Sequence, residues 1–161
     1  MIEDQDRCYR AVLSRDRRFD GVFYTGDDPA TVVAARRAGV LVATARRLAS
    51  VVESGVQVDV LAGSARDRGE QYVLQDLPVR PKLCVWTEGA DGGRYLGDDG
   101  SAGRWRAAAP PGPIVDTYGA GDVFMAALTV ELARGRGRDE ALALAARASA
   151  AQLTRRGGAP T

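Results

Sequence analysis

The stretch DGVFYTGDDPATVVAARRAGVLVAT, residues 20–44, predicts a strand, a helix and a second strand in succession. A short β-branched and aromatic run ends at Gly26, an Asp-Pro pair opens a helical segment, and Gly39 closes that segment before the apolar run VLVAT. Apolar strands that alternate with helices are typical of a parallel sheet covered on both faces. The stretch therefore predicts an α/β fold.

The same alternation continues along the rest of the chain. We predict a surface helix over 3–18, a helix over 45–55, a strand over 58–63, a weaker helical segment over 64–75, a strand over 82–89, two short strands within 91–108 joined by the turn GDDGS, and helices over 120–134 and 139–155. The helix over 120–134 is apolar around most of its circumference, which indicates burial. Because no repeat or long linker divides the chain, we expect a single domain over residues 1–161.

The composition excludes several classes of protein. The 22 basic and 21 acidic residues leave a net charge of +1, which indicates neither nucleic acid nor a membrane surface as a partner. The chain has no histidine, so a Ser-His-Asp triad or a histidine-ligated zinc site is excluded. Its lysine, Lys82, lies in no GxxxxGK[ST] loop, which excludes a P-loop enzyme.

Cysteine usage and the first residues bear on the expected location. Cys8 and Cys84 are far apart and have no CxxC partner, so neither a metal site nor a disulfide framework is indicated. The N-terminal sequence is charged where a signal peptide would be apolar, and no stretch approaches the length of a membrane span. We expect a protein of the reducing cytoplasm.

The stretch VDTYGAGDVF, residues 115–124, places glycines and two carboxylates directly before a predicted helix. The first N–H groups of a helix have no partner within it, and the peptide dipoles add about half a positive charge, so Gly119, Ala120 and Gly121 suit an anion. Asp122 has two interpretations. It is a helix cap that contributes about 0.5 to 2 kcal/mol, or it is a base that accepts a proton as a substrate hydroxyl attacks a phosphoryl group. Spacing alone leaves both open.

A longer pattern around this stretch resembles a known family. Asp116-Thr117-x-Gly119-Ala120-Gly121-Asp122 is similar to the C-terminal signature of the ribokinase-like (PfkB) carbohydrate kinases, which is close to DTxGAGD. TEGADGG, residues 87–93, resembles the family's nucleotide-side strand and turn, T-x-G-x-x-G. TRRGGAP, residues 154–160, is similar to its helix exit, and residues 19–44 resemble its central βαβ segment. The resemblance covers roughly residues 20–160.

The resemblance implies a fold and an activity. The fold would be a three-layer αβα sandwich with a mainly parallel central sheet, ribokinase-like and Rossmann-like, without the family's N-terminal lid region. The activity would be ATP-dependent phosphorylation of a hydroxyl group of a sugar or nucleoside. Asp122 would be the catalytic base, and the backbone of Gly119, Ala120 and Gly121 would form the anion hole.

The resemblance also implies a nucleotide site. Thr87, Gly89 and Gly92 would contribute to it, and Thr117 would lie near a phosphate. An ordinary strand-to-turn junction is the alternative interpretation of Thr87 and the two glycines. The expected cofactors are ATP and Mg²⁺.

One departure from the family pattern concerns Mg²⁺. The family's N-x-x-E element, which helps to organise the metal and its waters, is replaced by Ser64-Ala65-Arg66-Asp67. Asp67 keeps a carboxylate on a shorter arm, so the resemblance implies at most a weak contact with the metal through water. Ser64 replaces an amide, and its alternative interpretation is the N-cap of a following helix.

The second departure is length, since members of this family are about twice as long. The missing half would carry the Gly-Gly substrate motif, much of the sugar-binding surface and the β lid. Its absence would leave a sheet edge exposed. The N-terminal helix or a second copy of the chain would cover this edge, and we expect the second copy. Three hypotheses follow: a truncated carbohydrate kinase, a noncatalytic nucleotide-binding or interaction module derived from one, and an unrelated doubly wound protein whose GAGD is only a helix start.

Overall fold

The structure, a computed structural model, describes residues 18–156. Within this range six strands form one sheet in the order β1-β2-β3-β4-β5-β6. The strands are β1 (Gly21–Tyr24), β2 (Val40–Thr44), β3 (Val60–Ser64), β4 (Leu83–Thr87), β5 (Gly93–Gly97) and β6 (Ala102–Trp105). Strands β1 to β4 are parallel, whereas β5 and β6 each run antiparallel to the strand before them. The prediction of a mainly parallel sheet with a terminal strand pair is confirmed.

Helices cover both faces of the sheet. They are α1 (Pro29–Ala35), α2 (Leu48–Ser54), α3 (Ala120–Ala133) and α4 (Arg138–Gln152). On one face, Val32 of α1 and Val51 of α2 pack with Leu41 and Leu61 of the sheet. On the other face, side chains of α3 and α4 pack against β2, β3 and β4; they include Phe124, Leu128, Leu142, Val42, Val60 and Val85. The molecule is a three-layer αβα sandwich, as predicted.

The ends of the helices on the first face follow the sequence signals. Asp28 caps α1, because its carboxylate accepts hydrogen bonds from the N–H groups of Ala30 at 3.1 Å and Thr31 at 3.2 Å. Pro29 occupies the first helical position, where its missing N–H costs nothing. At the end of α2, Gly55 adopts the left-handed conformation with φ of 64°. The Asp-Pro start of α1 and the Gly55 stop of α2 are confirmed. The predicted stop of α1 at Gly39 is wrong, because α1 ends at Ala35 with Arg36 as its C-cap.

The predicted helical segment over 64–75 is wrong. Ser64 is the last residue of β3, and it is followed by two short 3₁₀ turns, Arg68–Glu70 and Leu74–Asp76. The Ser64 hydroxyl accepts a hydrogen bond from Arg66 N at 3.2 Å, and the Asp67 carboxylate accepts one from Gly69 N at 2.8 Å. Such local bonds to the backbone compete with helix formation. The interpretation of Ser64 as a helix N-cap fails for the same reason.

Helix α3 is buried on one face only. Phe124 and Leu128 are buried against the sheet, whereas Ala126 and Val130 on the opposite side are exposed, Val130 to 46%. The prediction of burial around most of the helix is therefore wrong for its outer face. One face of α3 is enough to cover this part of the sheet, so the opposite face of the helix stays in contact with solvent.

Some predictions concern the ends of the chain. The surface helix over 3–18, with Cys8, lies outside the described residues apart from Arg18. Gly157 and Gly158 also lie outside them. In the part of the chain that the structure describes, no helix is long and apolar enough to cross a membrane.

Candidate active site at the carboxyl edge of the sheet

The direction of α3 brings its first turn to the edge of the sheet at which β1 to β4 end, here called the carboxyl edge. Gly21, the first residue of β1, lies against the last residue of α3, since a Cβ built on Gly21 would be 3.0 Å from Cβ of Ala133. The helix therefore ends where β1 begins, and it starts where the strand ends. Ligands of open α/β sheets bind at the carboxyl ends of the strands.

The strand register leads to the same placement. Thr87, the last residue of β4, pairs with Gly93 of β5, which pairs in turn with Trp105 of β6. The Trp105 ring stacks on Phe124, in the second turn of α3, with ring centroids 5.5 Å apart. The predicted nucleotide turn after Thr87 and the start of α3 thus lie at the same edge of the sheet.

The turn before α3 is shaped by Asp116. Its Oδ1 accepts a hydrogen bond from Tyr118 N at 2.9 Å, which closes an Asx turn. Gly119 then adopts the left-handed conformation with φ of 77° and is the N-cap of α3, without any side-chain capping bond. A residue with a Cβ is strained in this conformation, so the turn requires glycine here. The Asp116 side chain thus helps to shape the turn before α3.

The same turn is anchored to the end of α4. The N–H groups of Val115 and Asp116 both donate to the carbonyl of Leu153, at 2.8 Å and 3.2 Å. The Ser149 hydroxyl donates to the carbonyl of Ala120 at 2.8 Å. These contacts hold the backbone of the turn in place, which fixes the direction in which its N–H groups point.

The N–H groups at the start of α3 are available to an anion. Val123 N donates to Gly119 O at 2.9 Å, which is the first hydrogen bond of the helix, so the N–H groups of Gly121 and Asp122 precede it. The Ala120 N–H makes only a long contact of 3.5 Å with Thr117 O. Gly121 is exposed, and a Cβ built on it would meet no atom within 4 Å. Open space therefore lies above the predicted anion hole.

Asp122 lies in the first turn of α3, and its side chain is exposed. Among residues 18–156 it has no hydrogen-bonding or ion-pair partner. The capping interpretation lacks the bond that would define it, because the carboxylate accepts no N–H of the helix end. Within the described residues, no group therefore occupies the oxygens of Asp122.

The predicted nucleotide turn requires both of its glycines. Gly89 and Gly92 have φ of 66° and 89°, in the region that favours glycine. The Gly92 carbonyl accepts a hydrogen bond from Glu88 N at 2.8 Å. A Cβ on Gly92 would collide with the carbonyl of Trp105 and would lie 2.7 Å from Ala107 N. These demands agree with the strand-to-turn interpretation, and they leave the nucleotide role a prediction.

The other two residues predicted for the nucleotide site differ in their surroundings. Thr87 ends β4, and its hydroxyl makes a long hydrogen bond of 3.4 Å to the Gly63 carbonyl of the neighbouring strand. Thr117 is exposed in the turn before α3. Both lie at the carboxyl edge, on the two segments that the register brings together.

Arg66 is a residue at this edge that was not predicted as a site residue. Its guanidinium forms an ion pair with Asp91 at 2.7 Å and lies against Gly89, where a built Cβ would be 2.9 Å from Nη1. Residues 66 and 89 are far apart in sequence, so only the parallel pairing of β3 and β4 reveals their contact. The structure adds a cation to the predicted nucleotide turn.

Asp67 is held by other side chains. Arg46 pairs with Asp67 at 2.8 Å and with Glu70 at 2.6 Å. Glu70 is only 6% exposed, and it also accepts a hydrogen bond from Ser64 N at 2.7 Å. The hydrogen bonds that Arg46 donates to Glu70 raise the pKa of Arg46, and the charges of Glu70 and Asp67 add to the effect. The network fixes the segment after β3.

The described part of the chain contains no cluster of three or more His, Cys, Asp or Glu side chains that could hold a metal ion. The lone carboxylate of Asp67 already has two partners, Arg46 Nη2 and Gly69 N. The side chains at the carboxyl edge thus do not form a metal cage. An indirect role for Asp67 through water stays a prediction.

Cys84 contributes no nucleophile to the site. It lies inside β4, and burial raises the pKa of its thiol. Burial also raises the pKa of the neighbouring Tyr72 hydroxyl, whose ring stacks on Trp86 at 5.5 Å. Both groups stay protonated at neutral pH and belong to the packing of the sheet.

Comparison with known sequences identifies the family of kinases to which this α/β chain belongs. The family described as pfkB family carbohydrate kinase matches residues 59–161. Ribokinase of Bacillus subtilis is 39% identical to this chain over 97 residues, which cover 57% of the chain and 31% of that ribokinase. The chain belongs to the pfkB family of carbohydrate kinases.

Solved structures confirm the ribokinase-like fold. A nucleoside kinase of Burkholderia thailandensis in complex with inosine matches 95% of this chain and 54% of its own, with a TM-score of 0.72 and 18% identity. Ribokinase of Arabidopsis thaliana complexed with ribose and ATP matches 84% of this chain and 55% of its own, with a TM-score of 0.56 and 20% identity. The chain thus spans about half the length of these two kinases and less than a third of the bacterial ribokinase.

Proposed function

We propose that this chain carries the nucleotide-binding and hydroxyl-activating part of an ATP-dependent phosphotransferase that acts on a sugar or nucleoside. The observation that carries the proposal is the Asp122 carboxylate, which lies free of described partners in the first turn of α3, beside unpaired N–H groups. A base and an anion site on the same turn suit the transfer of a phosphoryl group to a hydroxyl.

In the proposed reaction Asp122 accepts the proton of the substrate hydroxyl. The hydroxyl oxygen forms a bond to the γ-phosphorus of ATP, while the bond from that phosphorus to the bridging oxygen breaks and ADP leaves with the electron pair. The N–H groups of Gly119, Ala120 and Gly121 stabilise the negative charge on the transferred group. Because the turn is tied to α4, these donors are in place before the reaction begins.

We assign the nucleotide to the other side of the carboxyl edge. Thr87, Gly89 and Gly92 line the turn after β4, and Thr117 lies on the turn before α3. Gly89 and Gly92 allow the backbone to approach the phosphates, since neither carries a side chain that would keep them away. The proposed γ-phosphate position lies between the two turns.

Kinases of the ribokinase family use ATP, generally with Mg²⁺, which neutralises phosphate charge when it is bound. The contribution proposed for Asp67 is limited to water-mediated contact, because Arg46 and Gly69 N occupy its carboxylate. The proton transfer and the anion site belong to α3 and do not depend on Asp67.

The decisive experiment replaces Asp122 by Asn and measures ADP formation with ribose, inosine and other sugars or nucleosides as acceptors. Loss of the base is expected to reduce turnover at least about 100-fold, with ATP binding retained. Asp139→Asn is the matched control, because Asp139 lies in the first turn of α4 and its side chain is 75% exposed. Full activity of Asp122→Asn would refute the assignment of the base.

A noncatalytic nucleotide-binding module is the second candidate. The capture of Asp67 by Arg46, and the absence of an amide at Ser64, favour it because both weaken the organisation of Mg²⁺. This candidate predicts that ATP raises the melting temperature while no acceptor elicits ADP formation. Failure of every nucleotide to bind would remove both candidates.

We further propose that residues 1–161 form one domain and that the chain forms a homodimer in the cytoplasm. Strand β1 has a neighbour on one side only within residues 18–156, and an unpaired strand edge favours pairing with another chain. The use of ATP and the buried free thiol of Cys84 suit a reducing compartment. Sedimentation equilibrium tests the dimer, and a monomer at all concentrations would refute it.

A further inference from the structure

We propose that Arg66 binds a phosphate of the nucleotide, in exchange for its ion pair with Asp91. The inference rests on the proposed function, since it adds a binding residue to the same nucleotide site. It assigns a role to a side chain that lies at the end of β3, outside the TEGADGG segment and the VDTYGAGDVF turn.

The position of Arg66 is fixed by strand pairing. Ser64, the last residue of β3, pairs with Thr87, the last residue of β4, and Ala65 N donates to Thr87 O at 2.9 Å. The next side chain, Arg66, therefore reaches across the end of β4 to the turn that follows it. Its guanidinium Nη1 would lie 2.9 Å from a Cβ on Gly89. The charge sits directly beside the backbone that we assign to the phosphates.

The partner of Arg66 is one that a phosphate can replace. The side chains of Arg66 and Asp91 are 63% and 70% exposed, and their ion pair is 2.7 Å long. Exposed pairs of this kind contribute little to stability, so exchange of Asp91 for another anion costs little. A nucleotide phosphate carries more charge than one carboxylate and presents several acceptor oxygens to the planar guanidinium.

Two neighbouring arginines, Arg46 and Arg47, hold other parts of the fold together. Arg46 pairs with Glu70, whose side chain is only 7% exposed. If Arg46 bound another anion instead, the buried carboxylate of Glu70 would lose its ion-pair partner. Arg47 donates to the carbonyl of Thr25 at 3.0 Å and pairs with Asp27. Arg46 therefore stabilises the fold, whereas Arg66 can exchange Asp91 for another anion.

The proposal predicts an effect that depends on phosphate. In calorimetric titrations of the full chain, Arg66→Ala is expected to weaken ATP binding about 10-fold and to leave adenosine binding unchanged, because a charge-assisted hydrogen bond is lost. Arg66→Lys should recover part of the loss, since it keeps the charge without the planar fork. Arg68→Ala is the matched control, because Arg68 is also exposed and follows two residues later.

Asp91→Asn separates binding by Arg66 from a structural role of the ion pair. If Arg66 exchanges partners, removal of the competing carboxylate leaves ATP affinity unchanged or raises it a few-fold. If the pair merely holds the turn, Asp91→Asn weakens ATP binding as much as Arg66→Ala does, and the proposal is overturned. Melting temperatures of both variants should equal that of the wild type, since both side chains are exposed.

The remaining outcomes are distinct from failure of the proposed function. Wild-type affinity for ATP in Arg66→Ala, or an equal loss for ATP and adenosine, overturns the role of Arg66 and leaves the nucleotide site standing. Absence of any ATP binding by the wild-type chain overturns both. A loss for ATP alone, partly recovered by lysine, supports the proposal.

Discussion

Gly121→Ala tests why position 121 is a glycine. Either an anion needs the space that a side chain would occupy, or the fold itself requires glycine. Gly121 is exposed, its φ is not positive, and a Cβ built on it would meet no atom within 4 Å. The fold therefore has no steric reason to require glycine here. Gly119, by contrast, has φ of 77° and is needed by the turn whatever its function.

The expected effect on stability follows from this open position. Alanine loses less backbone entropy on folding than glycine and is the better helix former, by about 0.5 to 1 kcal/mol within a helix. At about 2 to 4 °C per kcal/mol for a chain of this size, the melting temperature should rise by about 1 to 4 °C. Thermal unfolding followed by circular dichroism measures this change.

The expected effect on the anion site has the opposite sign. The new methyl group would occupy open space beside the Gly121 N–H, which is one of the donors proposed for the transferred phosphoryl group. Displacing an anion from one preorganised donor costs about 100-fold or more in turnover. ADP formation, together with titration of ATP, measures the loss.

Gly137→Ala is the matched control for this prediction. Gly137 precedes α4, and a Cβ there also meets no atom within 4 Å. Its neighbour Arg138 donates to Ser101 Oγ at 2.7 Å, in the turn between β5 and β6 that lies at the opposite edge of the sheet. A more stable Gly121→Ala protein with wild-type turnover and ATP affinity would refute the anion hole. A marked loss of stability in Gly121→Ala would refute the argument that the fold has no steric reason to require glycine at this position.

Two further predictions concern stability. Gly92→Ala should lower the melting temperature by several degrees, because its methyl group would collide with the Trp105 carbonyl and force the backbone to move; an unchanged denaturation midpoint would contradict the geometry. Asp59→Asn should cost about 1 to 3 kcal/mol at neutral pH, because Asp59 pairs with Arg36 at 2.6 Å and with Lys82 at 2.8 Å. Burial tends to raise the pKa of Asp59, but hydrogen bonds led by the one from Lys82 outweigh it and hold the pKa below its ordinary value. The stabilisation is therefore present above the unfolded pKa of about 3.9 and is lost as the pH falls through the folded pKa, so wild type and variant should converge in acid unfolding experiments.

The alternation of strands and helices could be predicted because it depends on local signals. Apolar runs such as VLVAT form buried strands wherever both faces are covered, and the Asp28-Pro29 and Gly55 boundaries act within one turn of the chain. The start of α3 could be predicted for the same reason, since glycines and an acidic first turn mark a helix N-terminus.

The segment after β3 could not be predicted in the same way. Its polar side chains suggested a helix, but Glu70 is drawn into the fold by Arg46 and by Ser64 N, and Tyr72 stacks on Trp86. Arg46 lies in the segment after β2 and Trp86 lies in β4, so both are far away in sequence. Tertiary contacts therefore override the local preference.

The pairing of charges at the carboxyl edge supports the view that Asp122 is the base. Asp67 and Glu70 share the cation Arg46, and Asp91 pairs with Arg66, whereas Asp122 faces no described cation. A carboxylate at the start of a helix needs no such partner, because the helix dipole already stabilises its charge. A base must keep its oxygens open to the incoming proton, and an arginine partner would occupy them. The carboxylate of Asp122, without a described counterion, thus fits the role of base that we propose for it.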